Sequence, residues 1–380
     1  MKINVKSAKD RRSFQAFLRL PWRIYRDDPL WVPPVPRQVE GQFDRDRYPF
    51  FRRGDVQPFV AWRGEEPVGR IAAIQNRAHQ EVAGDRLGYF GFLEMVNDPE
   101  VARALFRQAG DWLRERGLDR MLGPVQFTTN DTCGVLVEGF DEPPAIQMPY
   151  NPPYYADLLG EVGLRTAKVL LAYELTPDSI VFDKTRRVAD RAERRGIRVR
   201  QLDLGDFDAE VERAREIYNQ AWSANWGFDA ISREEFHEMS KDLSRRADPR
   251  LLLMAETEAE SRPIGCSISL PDLNPAIRLL DGRLTPWGLF RFWLASRKIK
   301  RMRTVLLGVV RGWRLRGVDA LLMRETMDRG LAAGYESAEL SWILEDNEPM
   351  NRALRGVGAR ESKRYRLYEG DLSTSGPTDR

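Results

Sequence analysis

The chain has 380 residues, enough to bury two ordinary cores, and its 60 lysines and arginines nearly balance 57 aspartates and glutamates; because the arginines are interleaved with acids, this charge pattern argues against nucleic-acid binding. Two cysteines, Cys133 and Cys266, and two histidines, His79 and His237, lie far apart in sequence, which argues against a disulfide framework and a metal site. No apolar leader and no run of about 18 apolar residues occurs, so we expect a cytoplasmic protein, either free or bound peripherally to the inner face of the cell membrane.

The first half of the chain alternates strand and helix patterns around a proline-rich arm, DDPLWVPPVP, whose prolines enforce extended backbone. The helix after the longest strand has Asn97 or Asp98 as its N-cap and Gly117 just past its end. In order, the patterns predict strand 1–7, helix 13–25, a hairpin of 57–62 and 68–74, strand 86–96, a helix capped at 97 or 98 that ends before 117, strand 121–125, helix 151–163 and strand 168–174.

The second half repeats this order of elements without repeating the sequence. An insert at 271–303, rich in aromatic and basic residues, interrupts the order. The patterns predict helices 209–226 and 232–247, strands 251–257, 265–270 and 304–310, a helix ending near 334, strand 337–345, a helix from 347 and strand 363–368.

The strand at 337–345 is the first candidate for a functional site. Its alternation places four apolar side chains on one face and Ser337, Glu339, Ser341, Ile343 and Glu345 on the other. A core strand is therefore expected to present two carboxylates away from its apolar packing.

The segment RGWRLRG follows strand 304–310 and precedes a helix, where unpaired backbone N–H groups and arginines are suited to bind phosphate. This order of elements resembles the GNAT superfamily of acyl-CoA-dependent N-acyltransferases, in which a Gln/Arg-x-x-Gly-x-Gly/Ala turn cradles the coenzyme A pyrophosphate. The resemblance implies that Arg314, Arg316, Gly317 and Val318 bind acyl-CoA, while Asp319 points away and caps the helix. The alternative is an ordinary exposed turn.

Acyl transfer from a thioester to an amine needs a base for the ammonium proton, a donor for the oxyanion and an acid for the thiolate. Glu339 and Glu345 are the candidate bases; alternatively, they are solvated or paired with arginines. The resemblance places the oxyanion donor at backbone N–H groups near Leu307 and Val309, where the family has two splayed strands.

Two further roles follow from the same resemblance. Asn347, at the start of a helix, stands where the family commonly has an asparagine that contacts the coenzyme. Leu354 stands where the family often has the tyrosine that protonates the thiolate, so Tyr365 or Tyr368 is the candidate acid, unless these tyrosines serve packing.

The fold class expected is α/β (α+β), with two tandem GNAT-like domains, each a mixed, mostly antiparallel sheet flanked by helices. Residues 1–175 form the first, which lacks a phosphate-binding turn because Asp98 and Glu100 stand at the corresponding helix start. Residues 176–200 are a helical connector rich in arginine and aspartate, 201–372 the acyltransferase domain and 373–380 a disordered tail.

The insert suggests an apolar substrate. Trp287 and Trp293 lie among aromatic and aliphatic residues that are followed by a cluster of lysines and arginines, a composition typical of a helix at a membrane surface. The alternative is a lid packed on its own domain. Either arrangement puts apolar surface beside the thioester site, which favours a long acyl chain.

The segments DDPLWVPP, VGRIAAIQN, GPVQFTTNDTCGVLVEGFD, YNPPYY, NWGF and SWILEDN, spread over residues 20–370, resemble a bacterial family of tandem GNAT-like proteins that includes bacterial ceramide synthases. This implies transfer of an acyl group from acyl-CoA or acyl carrier protein to a primary amine, with a sphingoid base as the leading acceptor. Asn130, Asp131, Tyr154 and Trp342 are then candidate substrate-binding residues together with the insert tryptophans; Asn130 and Asp131 are alternatively a polar turn.

Three other classes stay open at this point. They are an aminoacyl-tRNA-dependent transferase of the peptidoglycan type, a short-chain N-acetyltransferase, and a binding protein without catalysis. The first would favour a basic groove, which the sequence does not locate.

Overall fold

The computed structural model describes residues 2–223 and 225–372. Its internal contacts divide the chain into two units. Unit 1 contains the residues up to Leu170, Ala276–Phe292 and those from Lys363 onward, and unit 2 contains Leu171–Pro275 and Trp293–Ser362. The predicted domain limits at 175, 200 and 372 stay predictions, and the tail at 373–380 lies outside the described residues.

The first half of the chain forms most of unit 1. Helices α2 and α3 and strand β6 were not expected from the sequence, because each is shorter than the window of about 11 residues over which a helical or strand period is recognised. The elements are β1 Ile3–Ser7, α1 Arg11–Ile24, α2 Pro36–Gln42, β2 Gly54–Arg63, β3 Glu66–Asn76, α3 Arg77–Ala83, β4 Leu87–Met95, α4 Pro99–Arg114, β5 Arg120–Gly123, β6 Val135–Glu138, α5 Tyr155–Glu161 and β7 Arg165–Leu175.

The second half of the chain forms most of unit 2. The predicted connector contains a helix and a strand, α6 and β8. The elements are α6 Asp183–Glu193, β8 Ile197–Gln201, α7 Phe207–Trp222, α8 Arg233–Ser244, β9 Leu252–Thr257, β10 Pro263–Pro271, α9 Asn274–Arg278, α10 Pro286–Ser296, β11 Arg301–Val309, α11 Val318–Ala332, β12 Ser337–Leu344, α12 Glu348–Gly356 and β13 Arg360–Asp371.

In unit 1 the strand order is β1-β2-β3-β4-β5-β13, and β6 also pairs with β13. Neighbouring strands are antiparallel except β4 and β5, which are parallel and joined through α4. The apolar face of α4, with Val101, Leu105 and Leu113 fully buried, packs on this sheet. Such burial, worth roughly 25 cal/mol per Å² of apolar surface, is the main source of stability for the unit.

In unit 2 the strand order is β7-β12-β11-β10-β9-β8. Here the parallel pair is β11 and β12, joined through α11. One apolar cluster joins α6 and α11 to the sheet, and a second joins α7 and α8 to it. The mixed, mostly antiparallel α/β fold expected from the sequence is confirmed.

The closing strands differ from the expected assignment. We expected 168–174 to close the first half and 363–368 the second. The part of β7 from Leu171 on belongs to unit 2, while Tyr365 and Tyr368 of β13 pair with Leu136 and Gly123 in unit 1. A period-2 pattern shows which faces are buried but does not name the neighbouring strand, so this arrangement could not be predicted.

Two smaller expectations concern the cysteines and the membrane. Cys133 and Cys266 are both buried, as expected of small apolar residues. In the part of the chain that the structure describes, no helix has the length and apolar content needed to cross a bilayer.

Candidate active site

The strands β11 and β12 diverge soon after they begin. Their parallel pairing ends at Thr304↔Leu340, although β11 continues to Val309 and β12 to Leu344. On the other side of β11, the register with β10 shifts so that Val305 is an extra, bulged residue. A bulge bends its strand, and here it coincides with the point of divergence. The result is a gap between two core strands of unit 2.

The backbone of β11 faces this gap with hydrogen-bonding groups. The amide of Val310 donates to Ile264 O of the preceding strand at 2.9 Å. Because such bonds alternate along an antiparallel pair, the N–H groups of Leu307 and Val309 point to the opposite side, where β12 has moved away. Arg314 Nε reaches Val309 O on that side at 3.4 Å. The two predicted oxyanion donors are thus placed at the gap.

A buried polar network lies on the first residues of both strands. Glu339 is fully buried, and its Oε1 accepts a hydrogen bond from Ser341 Oγ at 2.6 Å. Arg301 Nη2 donates to Glu339 Oε2 at 3.0 Å and to Glu174 Oε2 at 2.8 Å. Arg303 Nε donates to Ser341 Oγ at 2.9 Å. Glu339 is therefore paired with arginine, as one alternative anticipated, and is not a solvated strand carboxylate.

The two arginine-linked carboxylates differ in exposure. Burial raises the pKa of Glu174 above its usual value, although Arg301 opposes the shift. The Glu174 side chain is 22% exposed, whereas Glu339 is 0% exposed. A carboxylate that has a raised pKa and reaches solvent is suited to exchange protons. The sequence did not single out Glu174, because it belongs to the first half of the chain and only the fold brings it to Arg301.

Two predicted catalytic residues lie elsewhere. β12 ends at Leu344, so Glu345 is in the exposed turn beyond it and does not share the strand face of Glu339, contrary to expectation. Tyr365 is fully buried in unit 1, opposite Leu136 of β6. The structure thus groups Glu339 with Ser341, Arg301 and Glu174, but not with Glu345.

The arginine-rich turn leads directly into α11. Gly317 is the N-cap of this 15-residue helix, has φ of 85° and makes no side-chain cap hydrogen bond. Asp319 therefore does not cap the helix, contrary to expectation; it lies in the first turn. Arg314 is exposed, as is Arg316, whose guanidinium lies 4.9 Å from the ring centroid of Trp313. The positive end of the helix dipole and nearby cations make this turn suitable for phosphate.

Two other predicted donor-site residues, and the position where the family's tyrosine is missing, have structural roles. Val318 is fully buried in the core beneath α11, so only its backbone can face the turn. Asn347 caps α12 by accepting a hydrogen bond from Met350 N at 3.4 Å. Leu354 is buried, so the position that holds a tyrosine in the resembled family is part of the core here.

An indole covers the β11 backbone on the side of α7. A Cβ placed on Gly308 would lie 2.2 Å from the ring of Trp222, so only glycine allows this approach. Trp222 stacks on Tyr218 with ring centroids 4.9 Å apart. Trp342, half-buried, follows the paired part of β12. Sequence patterns missed Gly308 and Trp222, which meet only when α7 packs on the sheet.

The predicted substrate residues of the first half lie in unit 1. Asp131 accepts hydrogen bonds from the backbone N and the Oγ1 of Thr128 at 3.1 and 2.9 Å, and Asn130 N donates to the same Oγ1. These contacts form a polar turn. Tyr154 OH donates to Met95 O at 2.8 Å, and burial raises its pKa to about 12. Their role in binding substrate stays a prediction.

The insert tryptophans lie on α10. Trp287 is 67% exposed and Trp293 is 46% exposed. A lid packed on its own domain would bury these side chains, so their exposure argues against that alternative. Within the described residues, no group of three or more His, Cys, Asp or Glu side chains is placed to hold a metal ion.

Comparison with known proteins identifies the family. No family profile matches the sequence. The chain is 34% identical over 377 residues to the bacterial ceramide synthase of Caulobacter vibrioides, covering 97% of this chain and 98% of that protein. The chain belongs to the bacterial ceramide synthase family. It is also 32% identical over 374 residues to protein YghO of Escherichia coli, covering 97% of this chain and 95% of that protein.

Solved structures confirm the fold. A tandem GNAT protein from the clavulanic acid biosynthesis pathway superposes with a TM-score of 0.60 at 14% identity, covering 99% of this chain and 100% of that one. A GCN5-related N-acetyltransferase from Sphaerobacter thermophilus has a TM-score of 0.54 at 13% identity, covering 98% and 96%. This member of the ceramide synthase family is an acyltransferase with a tandem GNAT-like fold.

Proposed function

We propose that the protein transfers a long-chain acyl group from acyl-CoA to the primary amine of a sphingoid base. The observation that carries the proposal is the 34% identity, over 97% of the chain, to a protein named bacterial ceramide synthase. The geometry of unit 2 is compatible with this chemistry, since it combines a strand gap, a cationic helix start and a buried carboxylate network.

The turn before α11 favours coenzyme A as the carrier of the acyl group. Coenzyme A carries a pyrophosphate and a ribose phosphate, whereas the prosthetic arm of acyl carrier protein carries a single phosphodiester. The turn has three exposed arginines, Arg311, Arg314 and Arg316, beside an N-terminus that lacks a side-chain cap. Several cations around several phosphates form more charge-assisted bonds, so we favour coenzyme A over the carrier protein.

The proposed reaction has one base and one oxyanion site. The ammonium loses a proton to the Glu339 network, in which Glu174 is the solvent-accessible member. The amine nitrogen then forms a bond to the thioester carbon, and the oxyanion is stabilised by the N–H groups of Leu307 and Val309. Collapse breaks the C–S bond. The attacking nitrogen gives up its second proton to become the amide nitrogen, and the departing thiolate takes up that proton. An alkyl thiol ionises near pH 8.5, so the thiolate can leave without the tyrosine that Leu354 replaces.

The test is thiol release from a series of acyl-CoAs, from acetyl- to stearoyl-CoA, with sphinganine, 3-ketosphinganine and glycine as acceptors. We expect release that requires both a long acyl chain and a sphingoid amine, with the matching amide identified by mass spectrometry. Parallel reactions use acyl carrier protein loaded with the same acyl chain. Release with acetyl-CoA and glycine would instead indicate a short-chain N-acetyltransferase, and no release with any pair would refute the proposal.

A further inference from the structure

Helix α10 presents its large apolar side chains outward. Its buried or half-buried positions include the small residues Gly288 and Ala295. At 100° per residue, the exposed apolar positions fall within an arc of about 160°. They are Trp287, Leu289, Phe290, Trp293 and Leu294, and Leu284 just before the helix is exposed as well. A patch with this many large apolar residues on one helix marks an interaction surface.

The surroundings of this patch are strongly cationic. From residue 282 to residue 303 the chain contains no aspartate or glutamate. The guanidinium of Arg297 lies 3.9 Å from the ring centroid of Trp293, and Lys300 pairs with Glu336. The exposed cations of the segment are Arg283, Arg291, Arg297, Lys298 and Lys300.

The approach to α10 is anchored in unit 1. A Cβ on Gly282, whose φ is 67°, would lie 2.4 Å from the ring of Trp22, so the chain is tightly packed there. Arg278 donates a hydrogen bond to the carbonyl of Pro29, in the proline-rich arm. The segment that leads into α10 is therefore fixed by packing, and the exposed patch begins directly after it.

We propose that α10 binds the surface of an anionic lipid bilayer, with its exposed aromatic and aliphatic side chains in the interface and its cations at the lipid headgroups. The helix has 11 residues, too few to span a bilayer and suited to lie in its surface. Charge complementarity selects this occupant over a second copy of the chain, because a symmetric dimer through α10 would oppose like-charged segments. The binding surface stands on α10 alone, while its use in supplying the amine substrate rests on the function proposed above.

The test measures co-sedimentation of the full chain with vesicles of phosphatidylcholine alone and with vesicles containing about 30% phosphatidylglycerol. We expect binding to the anionic vesicles that weakens as salt is added. The triple variant Trp287→Ala/Phe290→Ala/Trp293→Ala should bind at least about tenfold more weakly, because it removes the inserted side chains. The double variant Arg297→Glu/Lys298→Glu should lose at least about tenfold on anionic vesicles only.

Matched controls separate α10 from the rest of the surface. Val82→Ala removes another exposed apolar residue, and Arg103→Glu/Arg107→Glu reverses two exposed cations of α4; both should bind like the wild type. Circular dichroism melting checks that every variant is folded, which we expect because the altered side chains are exposed.

Three outcomes would overturn the proposal. They are no vesicle binding by the wild type, equal binding by the triple variant, and light scattering that shows a dimer which the triple variant dissociates. Vesicle binding is measured without acyl donor or amine. A failure of the proposed function, seen as absence of thiol release, is therefore distinguishable from a failure of this inference.

Discussion

The two units contain the same arrangement of parallel strand, helix and parallel strand, but the two helices begin differently. In unit 1, α4 starts with Pro99, and its N-cap Asp98 accepts a hydrogen bond from Glu100 N at 2.8 Å. In unit 2, α11 starts after Gly317 without a side-chain cap and follows three exposed arginines. One helix N-terminus donates a hydrogen bond to a carboxylate of its own chain, whereas the other has no side-chain cap hydrogen bond.

The two units also differ in what lies beside the first strand of the parallel pair, β4 in unit 1 and β11 in unit 2. In unit 1, Val125 N donates to Phe90 O at 2.8 Å, and a Cβ on Gly91 would lie 2.1 Å from Val125 O, so the backbone itself occupies the space beside β4. Phe92 and Phe127 pack there with ring centroids 5.3 Å apart. In unit 2, the space beside β11 is bounded by a side chain, Trp222. Backbone therefore lies against the glycine in unit 1, whereas a side chain lies against the glycine in unit 2.

The largest difference between the units should appear when one buried carboxylate is removed from each, because only the carboxylate of unit 2 is expected to affect catalysis. We expect Glu339→Gln to lower kcat about 100-fold, because the neutral amide disrupts the network of Glu339, Arg301 and Glu174 that takes up the ammonium proton. Glu94 is also largely buried, bonded to Tyr25 and Tyr155 in unit 1, and Glu94→Gln should leave the kcat of the folded enzyme unchanged. Steady-state thiol release with saturating donor and amine measures both values.

The exposed Glu345→Gln is the control within unit 2 and should retain nearly full activity. Equal losses of kcat in Glu339→Gln and Glu94→Gln would contradict the prediction that only the carboxylate of unit 2 takes part in catalysis.

The next largest effect is on the free energy of unfolding, when the closely packed glycine of each unit is replaced by alanine. Gly91→Ala should lower the free energy of unfolding by about 3 kcal/mol, because the backbone carbonyl of Val125 cannot move aside easily. Gly308→Ala should cost about 1 kcal/mol, since the Trp222 ring can shift. Urea unfolding measures both.

The double variant Gly308→Ala/Trp222→Ala provides the coupling test. It should recover the part of the cost that arises from the clash. If Gly308→Ala proves more destabilising than Gly91→Ala, the unit 2 gap is as tightly filled as that of unit 1.

A smaller effect is expected from substitutions at the N-termini of α11 and α4. Arg316→Ala should raise the KM for acyl-CoA about tenfold at unchanged kcat, through loss of a charge-assisted phosphate contact, and Arg316→Lys should restore part of the affinity. Asp98→Ala should leave KM unchanged and lower the free energy of unfolding by about 1 kcal/mol, through loss of the cap.

Donor titrations at saturating amine, together with urea unfolding, distinguish the two results. A raised KM in Asp98→Ala, or an unaltered KM in Arg316→Ala, would place the donor elsewhere.

The smallest effect is on the pH dependence of stability. Burial raises the pKa of Glu94 above its usual 4.5, so its stability contribution is present at low pH and is lost as the pH rises through the folded-state pKa. The hydrogen bond from Arg324 lowers the pKa of Glu193 in unit 2, so its contribution is present above pH 4.5 and is lost as the pH falls through the folded-state pKa.

Urea unfolding between about pH 3 and pH 7 should therefore show opposite slopes for the stability differences between the wild type and each Gln variant. The advantage of the wild type over Glu94→Gln should shrink as pH rises, and its advantage over Glu193→Gln should grow. Parallel slopes would contradict the two pKa directions.

Much of the fold could be predicted because local patterns dictate local structure. The cap at Asp98, the alternation in β12 and the glycine before α11 each act within a few residues of the chain. Asp319 was misjudged as a cap because the turn ends on Gly317, whose positive φ ends the loop two residues earlier. Glu345 was misjudged because periodicity does not show where a strand stops.

The sequence by itself determined the order of the longer elements, the aromatic and cationic character of the insert, and the contrast between the acidic and the arginine-rich helix starts. Only the tertiary structure decided that Glu174, from the first half of the chain, would share Arg301 with Glu339, that Trp222 would cover Gly308, and that β13 would join the sheet of unit 1. The physical reason is distance along the chain. Caps, turns and alternation arise between neighbouring residues, whereas strand partners and buried ion pairs are chosen by packing between segments far apart in sequence.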